Sequence, residues 1–188
     1  MRRVVSALLL LPLVACSPTD SGPTQPFVAT VTLNEASVSN VGTHLTGDAE
    51  RPVPRETPAQ GQAIFQLSSD GQTLSYKLNV ANIENVTAAH IHLGPIEGSG
   101  GVVVFLYGNE PAGGGPINGR IASGEITAAN FIGALAGQPM SALITHIQNG
   151  NAYVNVHTND GDAVVNEGPG DFPGGEIRGQ LGHGDLMH

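Results

Sequence analysis

Three segments of the chain repeat with a period of two residues, and this period limits the possible fold more than any other feature. They are residues 86–94, 151–157 and 175–181. Successive side chains of a β-strand point to opposite faces of its sheet, so this period is typical of a strand. A helical period is found in two short pieces, residues 127–137 and 141–148. The sequence therefore predicts a mainly β protein, an antiparallel β-sandwich or Greek-key barrel with short helical insertions.

Further segments extend this β pattern. Residues 61–67 and 74–80 alternate in the same way, and the turn between them contains Asp70-Gly71, which is typical of a β-hairpin. Residues 27–33 predict the first strand, and the apolar run 102–107 predicts a strand that is buried on both faces. Weaker strand patterns lie near residue 44 and at 121–126. Residues 51–58 predict a loop or a sheet edge, and loops are predicted at 111–116 and 159–173.

The polar faces of the three alternating segments carry histidines. His90 and His92 share one face of the first segment, roughly 7 Å apart. His157 lies on the polar face of the second segment. Imidazole is a common ligand of zinc and copper, so three histidines on neighbouring strands can bind one metal ion. The alternative is that these faces are exposed to solvent and that the histidines serve cross-strand packing.

Four other polar side chains belong to the same faces, namely Tyr153, Asn155, Glu176 and Arg178. Glu176 and Arg178 are candidates for an outer layer of the metal site, in which Glu176 accepts the ring N–H of a ligand histidine. The alternative for this pair is a cross-strand ion pair that contributes under roughly 1 kcal/mol. Tyr153 and Asn155 are assigned to the same outer layer and are predicted to pack on the polar face rather than to bind the metal.

Other polar residues give weaker signals. His44 lies in an early loop or strand and His146 in the second helical piece, and both are predicted to have no part in a site. The long loop 159–173 carries carboxylates that offer oxygen ligands for calcium, although their spacing matches no established calcium loop. They are Asp160, Asp162, Glu167 and Asp171.

The N-terminus has the features of an export signal. Met1-Arg2-Arg3 precedes an apolar run of about ten residues, which is long enough for a secretory signal core and too short to span a membrane. The run ends in Leu13-Val14-Ala15-Cys16, which resembles a bacterial lipobox. The resemblance implies a signal peptide at 1–15, lipid on Cys16 and a lipidated flexible tether at 16–26. The alternative is a signal peptide with an incidental cysteine.

Lipid on Cys16 predicts a membrane-anchored protein of the bacterial cell envelope. An outer-membrane or cell-surface address is expected because Ser17, and not aspartate, follows the cysteine. Without residues 1–15 the chain has five basic and sixteen acidic residues, a formal charge of −11, which argues against nucleic acid as a partner. The remaining chain is predicted to form one domain, residues 27–182, and a polar tail, residues 183–188. The sequence does not name a protein partner.

Several segments together resemble the CHRD domain, a module that is repeated in chordin and common in secreted bacterial proteins. The resemblance covers about residues 27–181 and implies a secreted, mostly antiparallel β domain. The extra residues 34–43 and the long loop 159–173 depart from the family pattern. The matching segments are residues 45–47 with Glu50, Pro52 and Pro54, and residues 61–65, 89–94, 102–104, 150–158 and 174–181.

A second resemblance is fainter and concerns chemistry. Ala89-His90-Ile91-His92 and Val154-Asn155-Val156-His157 are similar to the strand motifs that carry copper ligands in copper/zinc superoxide dismutases. Arg178 falls where that family has an arginine beside the copper. The resemblance implies copper on the three histidines and a superoxide-dismutase-like or immunoglobulin-like sandwich. No bridging histidine follows in the loop 98–101 and the family's cysteines are missing, so the expected site is mononuclear.

Three functional hypotheses follow from these observations. The first, which we favour, is a lipid-anchored extracytoplasmic CHRD-domain binding module that holds a single copper ion through three histidines, without turnover. The second is a mononuclear copper redox enzyme of the superoxide dismutase type. The third is a metal-free adhesion or structural domain, in which all three histidines can be replaced without loss of the fold or of partner binding.

Overall fold

The computed structural model describes residues 40–182. Several predicted features lie outside the described residues and stay predictions: the signal peptide 1–15, Cys16 with its tether 16–26, the strand at 27–33 and the tail 183–188. No helix within residues 40–182 is long and apolar enough to cross a membrane.

Antiparallel strands make up most of the described residues, with a short α-helix and three 3-10 turns between them. The strands are β1 Asn40–Thr46, β2 Gln60–Leu67, β3 Leu74–Glu84, β4 Val86–Leu93, β5 Val102–Gly108, β6 Pro116–Ile126, β7 Ala152–Thr158 and β8 Ile177–Leu181. The helix α1 is Met140–Gln148, and the 3-10 turns are Gly47–Ala49, Ala128–Asn130 and Gly133–Leu135.

The eight strands form one sheet that closes almost completely into a barrel. Its strand order is β5-β4-β7-β8-β1-β2-β3-β6, and every hydrogen-bonded pair is antiparallel. The end strands of the sheet are β5 and β6. The Tyr76 hydroxyl of β3, the neighbour of β6, donates to the Leu106 carbonyl of β5 at 2.7 Å, so the two ends of the sheet lie close together. Around the barrel β3, β6, β5 and β4 then follow one another, and this is a Greek-key order. The predicted mainly β sandwich or Greek-key barrel is confirmed.

The apolar positions of the alternating segments form the core of the barrel. Leu45, Phe65, Ile91, Val154 and Ile177 come from five different strands, and each is at most 1% exposed. Burial of one such side chain contributes about 1.5–3 kcal/mol. A shift of one strand by one residue would turn its apolar face outwards, so the core fixes the register of the strands.

One of the two helical predictions is confirmed and the other is corrected. The predicted piece 141–148 is α1, Met140–Gln148. In place of one helix at 127–137 the chain forms two separate 3-10 turns, because the backbone of Phe131 between them is extended. Gly133 has a φ of +56°, which a right-handed helix does not accept.

Two strand predictions are also corrected. β5 is not buried on both faces, since Phe105 is 49% exposed and β5 is an edge strand whose outer face is only partly covered. β6 begins at Pro116 and not at residue 121, because bulges in its pairing with β3 carry the strand past Gly119. The hairpin turn at Asp70-Gly71 forms as predicted, with Gly71 at a φ of +67°.

Candidate metal centre

The three strands that carry the predicted site are consecutive in the sheet, in the order β4-β7-β8. Their register places His90 opposite Asn155, and Asn155 opposite Arg178. His92 stands opposite Tyr153. His157 lies two residues after Asn155, on the same face of β7. Because the apolar side chains of these strands point into the barrel, the polar faces combine into one surface on its outside.

The three histidines converge on this surface. One ligand nitrogen from each of His90, His92 and His157 lies within 4.8 Å of the others. The closest pair is Nδ1 of His90 and Nε2 of His157, at 3.0 Å. Two nitrogens that each lie about 2.0–2.1 Å from one zinc or copper ion are about 2.9–3.4 Å apart at angles of 90–110°. The observed separation is therefore suited to two ligands of one ion.

Backbone carbonyls orient two of the imidazole rings. His92 Nδ1 lies 2.9 Å from the carbonyl oxygen of Gly100, and His157 Nδ1 lies 2.9 Å from that of Pro173. Because a carbonyl only accepts, each Nδ1 donates its hydrogen, and the Nε2 of each ring carries the lone pair. His92 Nε2 is buried and has no hydrogen-bond partner within residues 40–182. An imidazole whose Nδ1–H is held by a backbone carbonyl presents its Nε2 in a fixed direction, as metal-binding histidines do.

The electrostatics of the cluster keep its rings neutral. Burial, followed by the proximity of His157 and His92, lowers the pKa of His90 to about 4. Burial is also the main cause that lowers the pKa of His92 and of His157, against their hydrogen bonds to backbone carbonyls. A neutral imidazole keeps its lone pair, so all three rings are ready to bind a cation at pH 7 without first losing a proton.

Loops cover this surface, which contradicts the alternative that the polar faces are exposed to solvent. Tyr153 and Asn155 are each 3% exposed and His92 is 8% exposed. The loop between β4 and β5 lies over β7, where the N–H of Gly100 donates to the Tyr153 hydroxyl at 3.1 Å. The loop between β7 and β8 supplies Pro173, whose carbonyl accepts from the histidine of β7.

Arg178 is held by the loop between β4 and β5. Its two terminal nitrogens donate to the carbonyl oxygens of Gly98 at 2.7 Å and Pro95 at 2.8 Å, and one of them also donates to Gln180 at 2.9 Å. Within residues 40–182 it forms no ion pair with Glu176. The alternative of an ion pair between these two residues is therefore wrong, and Arg178 instead holds the loop over the site.

Tyr153 connects Arg178 to the histidines. The guanidinium carbon of Arg178 lies 3.6 Å from the centroid of the Tyr153 ring. The ring of His92 stacks on Tyr153 at a centroid distance of 4.9 Å and an angle of 10°. Since β7 lies between β4 and β8, the Tyr153 ring has His92 on one side and Arg178 on the other. Its contacts fix the plane of one candidate ligand.

The sequence predicts that Glu176 accepts a hydrogen bond from a ligand histidine, and this prediction is wrong. The Glu176 carboxylate accepts from the hydroxyls of Thr57 at 2.5 Å and Thr158 at 2.7 Å, and from the N–H of Gly170 at 2.9 Å. The histidine N–H groups go to backbone carbonyls instead. Glu176 is fully buried and joins the loop before β2 to the loop between β7 and β8.

Glu50 is a buried acid that the sequence analysis did not assign to the site. It follows the 3-10 turn after β1 and is 3% exposed. Burial raises the pKa of Glu50 to about 7, although the charges of Arg178 and Arg55 lower it in part. Oε1 of Glu50 is buried and has no hydrogen-bond partner within residues 40–182, and the same holds for Oδ1 of Asn155. The only sequence signal was the place of Glu50 in the CHRD-like segment that begins at residue 45.

The other polar candidates lie apart from this cluster. Among residues 40–182, the three histidines are the only group of three or more potential metal ligands whose ligand atoms converge. The carboxylates of the loop 159–173 therefore do not form the suggested calcium site. Asp160 and Asp162 instead accept backbone N–H groups two residues further on. His44 is exposed on β1, and His146 pairs with Asn151 at the end of α1.

Comparison with known protein families matches residues 41–181 to the CHRD domain. No curated protein and no solved structure matches the chain. The match covers about three quarters of the chain and includes the eight strands that the structure describes, apart from the first residue of β1. Both histidine-bearing strands, the loops that cover them and the buried Glu50 fall within it. The chain therefore belongs to the CHRD domain family.

Proposed function

We propose that this protein is an extracytoplasmic binding module, anchored by lipid on Cys16, that holds one copper ion through His90, His92 and His157. One observation carries the metal part of the proposal. Three neutral ring nitrogens converge on one point, and backbone carbonyls orient two of the rings so that their Nε2 atoms face it. A histidine cluster that served packing alone would not need this arrangement.

The donor set supports copper as the ion. Imidazole suits both zinc and copper, and affinity for divalent ions in a given nitrogen site rises from Mn²⁺ to Cu²⁺ and falls again at Zn²⁺. In the metal-free form His90 Nδ1 donates to His157 Nε2, because the latter nitrogen carries the lone pair. To bind the ion through Nδ1, His90 would move this hydrogen to Nε2 of the same ring, so the ring stays neutral and no proton leaves the protein.

The anchoring part of the proposal is supported by the sequence alone. Leu13-Val14-Ala15-Cys16 has the pattern of a lipidation site after an export signal. The Ser- and Pro-containing segment that follows would hold the domain away from the membrane. Metabolic labelling with a fatty acid, compared between the natural chain and Cys16→Ser, tests this part separately from the metal.

The dismutase hypothesis receives less support from the geometry than the binding module does. Arg178 would have to reach an anion at the metal, but its terminal nitrogens donate to the loop carbonyls of Gly98 and Pro95 and to Gln180. It is 1% exposed. A superoxide dismutation assay on the copper-loaded protein separates a redox enzyme from a binding module.

The decisive experiment is a metal titration of the mature protein, purified in detergent with no histidine tag. Cu(II), Cu(I) and Zn(II) are titrated separately into the natural chain and into His90→Ala, His92→Ala and His157→Ala. His44→Ala is the matched control, because His44 is exposed on β1 and outside the cluster. Circular dichroism establishes that each variant keeps its fold.

We expect one tight copper equivalent in the natural chain and in His44→Ala. Each of the three site variants should lose at least about 100-fold in affinity, since loss of an outer partner alone typically costs 10–100-fold. Copper binding that all three variants retain would overturn the metal proposal. It would favour an adhesion domain in which the three histidines hold no metal and whose partner binding survives all three substitutions.

A further inference from the structure

The three histidines bring no negative charge to the ion that they are proposed to hold. Neutral imidazoles leave the full charge of a divalent ion uncompensated. Arg178 adds a buried positive charge close by, and this charge lowers the pKa of His92. The proposed site therefore needs a buried anion near it, and such an anion has to come from another part of the chain.

Glu50 lies where such an anion is needed. A Cβ added to Gly175 would lie 2.6 Å from Glu50 Oε1 and 2.7 Å from Asn155 Nδ2, so these two side chains lie beside each other. Asn155 in turn lies directly opposite His90 in the strand pairing and affects the pKa of His92 through a side-chain contact. Glu50 is thus one side chain away from the histidine cluster without touching a candidate ligand.

Glu50 and Asn155 each keep an oxygen without a partner. Oε1 of Glu50 and Oδ1 of Asn155 are both buried and accept no hydrogen bond within residues 40–182. The Asn155 atom beside Glu50 Oε1 is the amide nitrogen, a donor that lowers the pKa of Glu50 in part. A buried carboxyl oxygen without a hydrogen-bond partner disfavours the ionised form. The charged groups that face Glu50 are Arg178 of β8 and Arg55 of its own loop, and burial outweighs both.

We infer that Glu50 is the internal counter-charge of the metal site: it carries a proton in part of the molecules at neutral pH when the site is free, and it is ionised when a divalent cation enters. The inference rests on the proposed function and names how that site is regulated. Glu50 is a positioning residue for charge and not a ligand. On binding, the cation attracts negative charge, the carboxyl proton leaves to solvent, and the Glu50 carboxylate remains beside Asn155.

The number of protons released per metal ion tests this inference. The candidate ligand histidines are already neutral at pH 7, so they release almost none. Glu50 has a pKa of about 7, so metal binding should release about half a proton at pH 7 and almost none at pH 8.5. Calorimetric titration of the mature protein with Cu(II) in two buffers of different ionisation enthalpy measures this number directly.

Glu50→Gln should abolish the proton release at pH 7 and weaken copper binding about 10- to 100-fold. Glu56→Gln is the matched control, because it makes the same charge change on an exposed residue of the same loop and should leave both quantities unchanged. Rescue of affinity at high pH would be expected only for chains that keep Glu50.

Two outcomes would overturn the inference. The first is copper binding with no proton release at pH 7 in the natural chain, which needs no variant and stands even if Glu50→Gln fails to fold. The second is equal proton release in the natural chain and in Glu50→Gln. If the natural chain binds no copper, the proposed function itself fails, and that result is distinct from both.

Discussion

A single methyl group at Gly175 is the smallest perturbation that tests the packing around Glu50. The added Cβ would lie 2.6 Å from Glu50 Oε1, 2.7 Å from Asn155 Nδ2 and 2.9 Å from Glu50 Cδ. Ordinary van der Waals contact begins near 3.4 Å, so the Glu50 carboxyl would have to move by several tenths of an ångström. Glu50 and Asn155 are each 3% exposed and have little room to move.

The backbone adds a second cost to Gly175→Ala. Gly175 has a φ of +127°, a region that residues with a Cβ rarely adopt, and such strain costs about 1–3 kcal/mol. Overpacking of a buried site costs about 1–3 kcal/mol more. The free energy of unfolding should therefore fall by about 2–6 kcal/mol.

Gly174→Ala is the control for this measurement. The nearest atom to a Cβ at Gly174 is Arg55 Nη2 at 3.9 Å, which is ordinary contact, so the expected change is within about 1 kcal/mol. Urea denaturation of the metal-free protein, followed by circular dichroism at pH 7.5, gives both values. A difference of less than about 1 kcal/mol between the two variants would refute the packing that we describe around Glu50.

Three further predictions concern the residues around the site. Glu176→Gln should lower the free energy of unfolding by about 2–4 kcal/mol in urea denaturation, because the new amide group meets donors that need an acceptor. Tyr153→Phe should keep copper affinity within about threefold, whereas Tyr153→Leu, which loses the stacking on His92 and Arg178, should weaken it at least tenfold in the same titration. Metal-free Glu50→Gln should lose about 2 kcal/mol of stability between pH 6.5 and pH 4, since the unfolded chain binds the His90 proton in that range and the folded chain does not. Glu50 has the opposite shift, so denaturation of the natural chain should show a weaker pH dependence.

The strands and their inner faces could be predicted because the information is local. The period of two in residues 86–94 and 151–157 reports which side chains face the core, and the core then fixes the register. His90, His92 and His157 were assigned to one face for the same reason, and the order β4-β7-β8 brings them together. The order β4-β7-β8 depends on pairing between segments that are distant in the chain, and the sequence alone does not establish it.

The loops that lie over the three histidines could not be predicted in the same way. The partners of His92 and His157 are backbone carbonyls of Gly100 and Pro173, and a carbonyl leaves no trace in the residue type. Polar alternation is also the pattern of a strand with one face in water, which is why solvent exposure remained an alternative. Loops of many residues can fold over such a face without any periodic signal.

The position of the site relative to the core separates stability from binding. The apolar residues of β4, β7 and β8 point into the barrel, and the histidines lie on the opposite faces of the same strands. Replacement of a histidine therefore removes a ligand without opening a cavity in the core. The reverse holds for Glu176, which contacts no histidine but joins the loop before β2 to the loop between β7 and β8, one of the loops that cover the site. Substitutions on the strands should thus change metal affinity at little cost in stability, and substitutions that loosen the loops should change both.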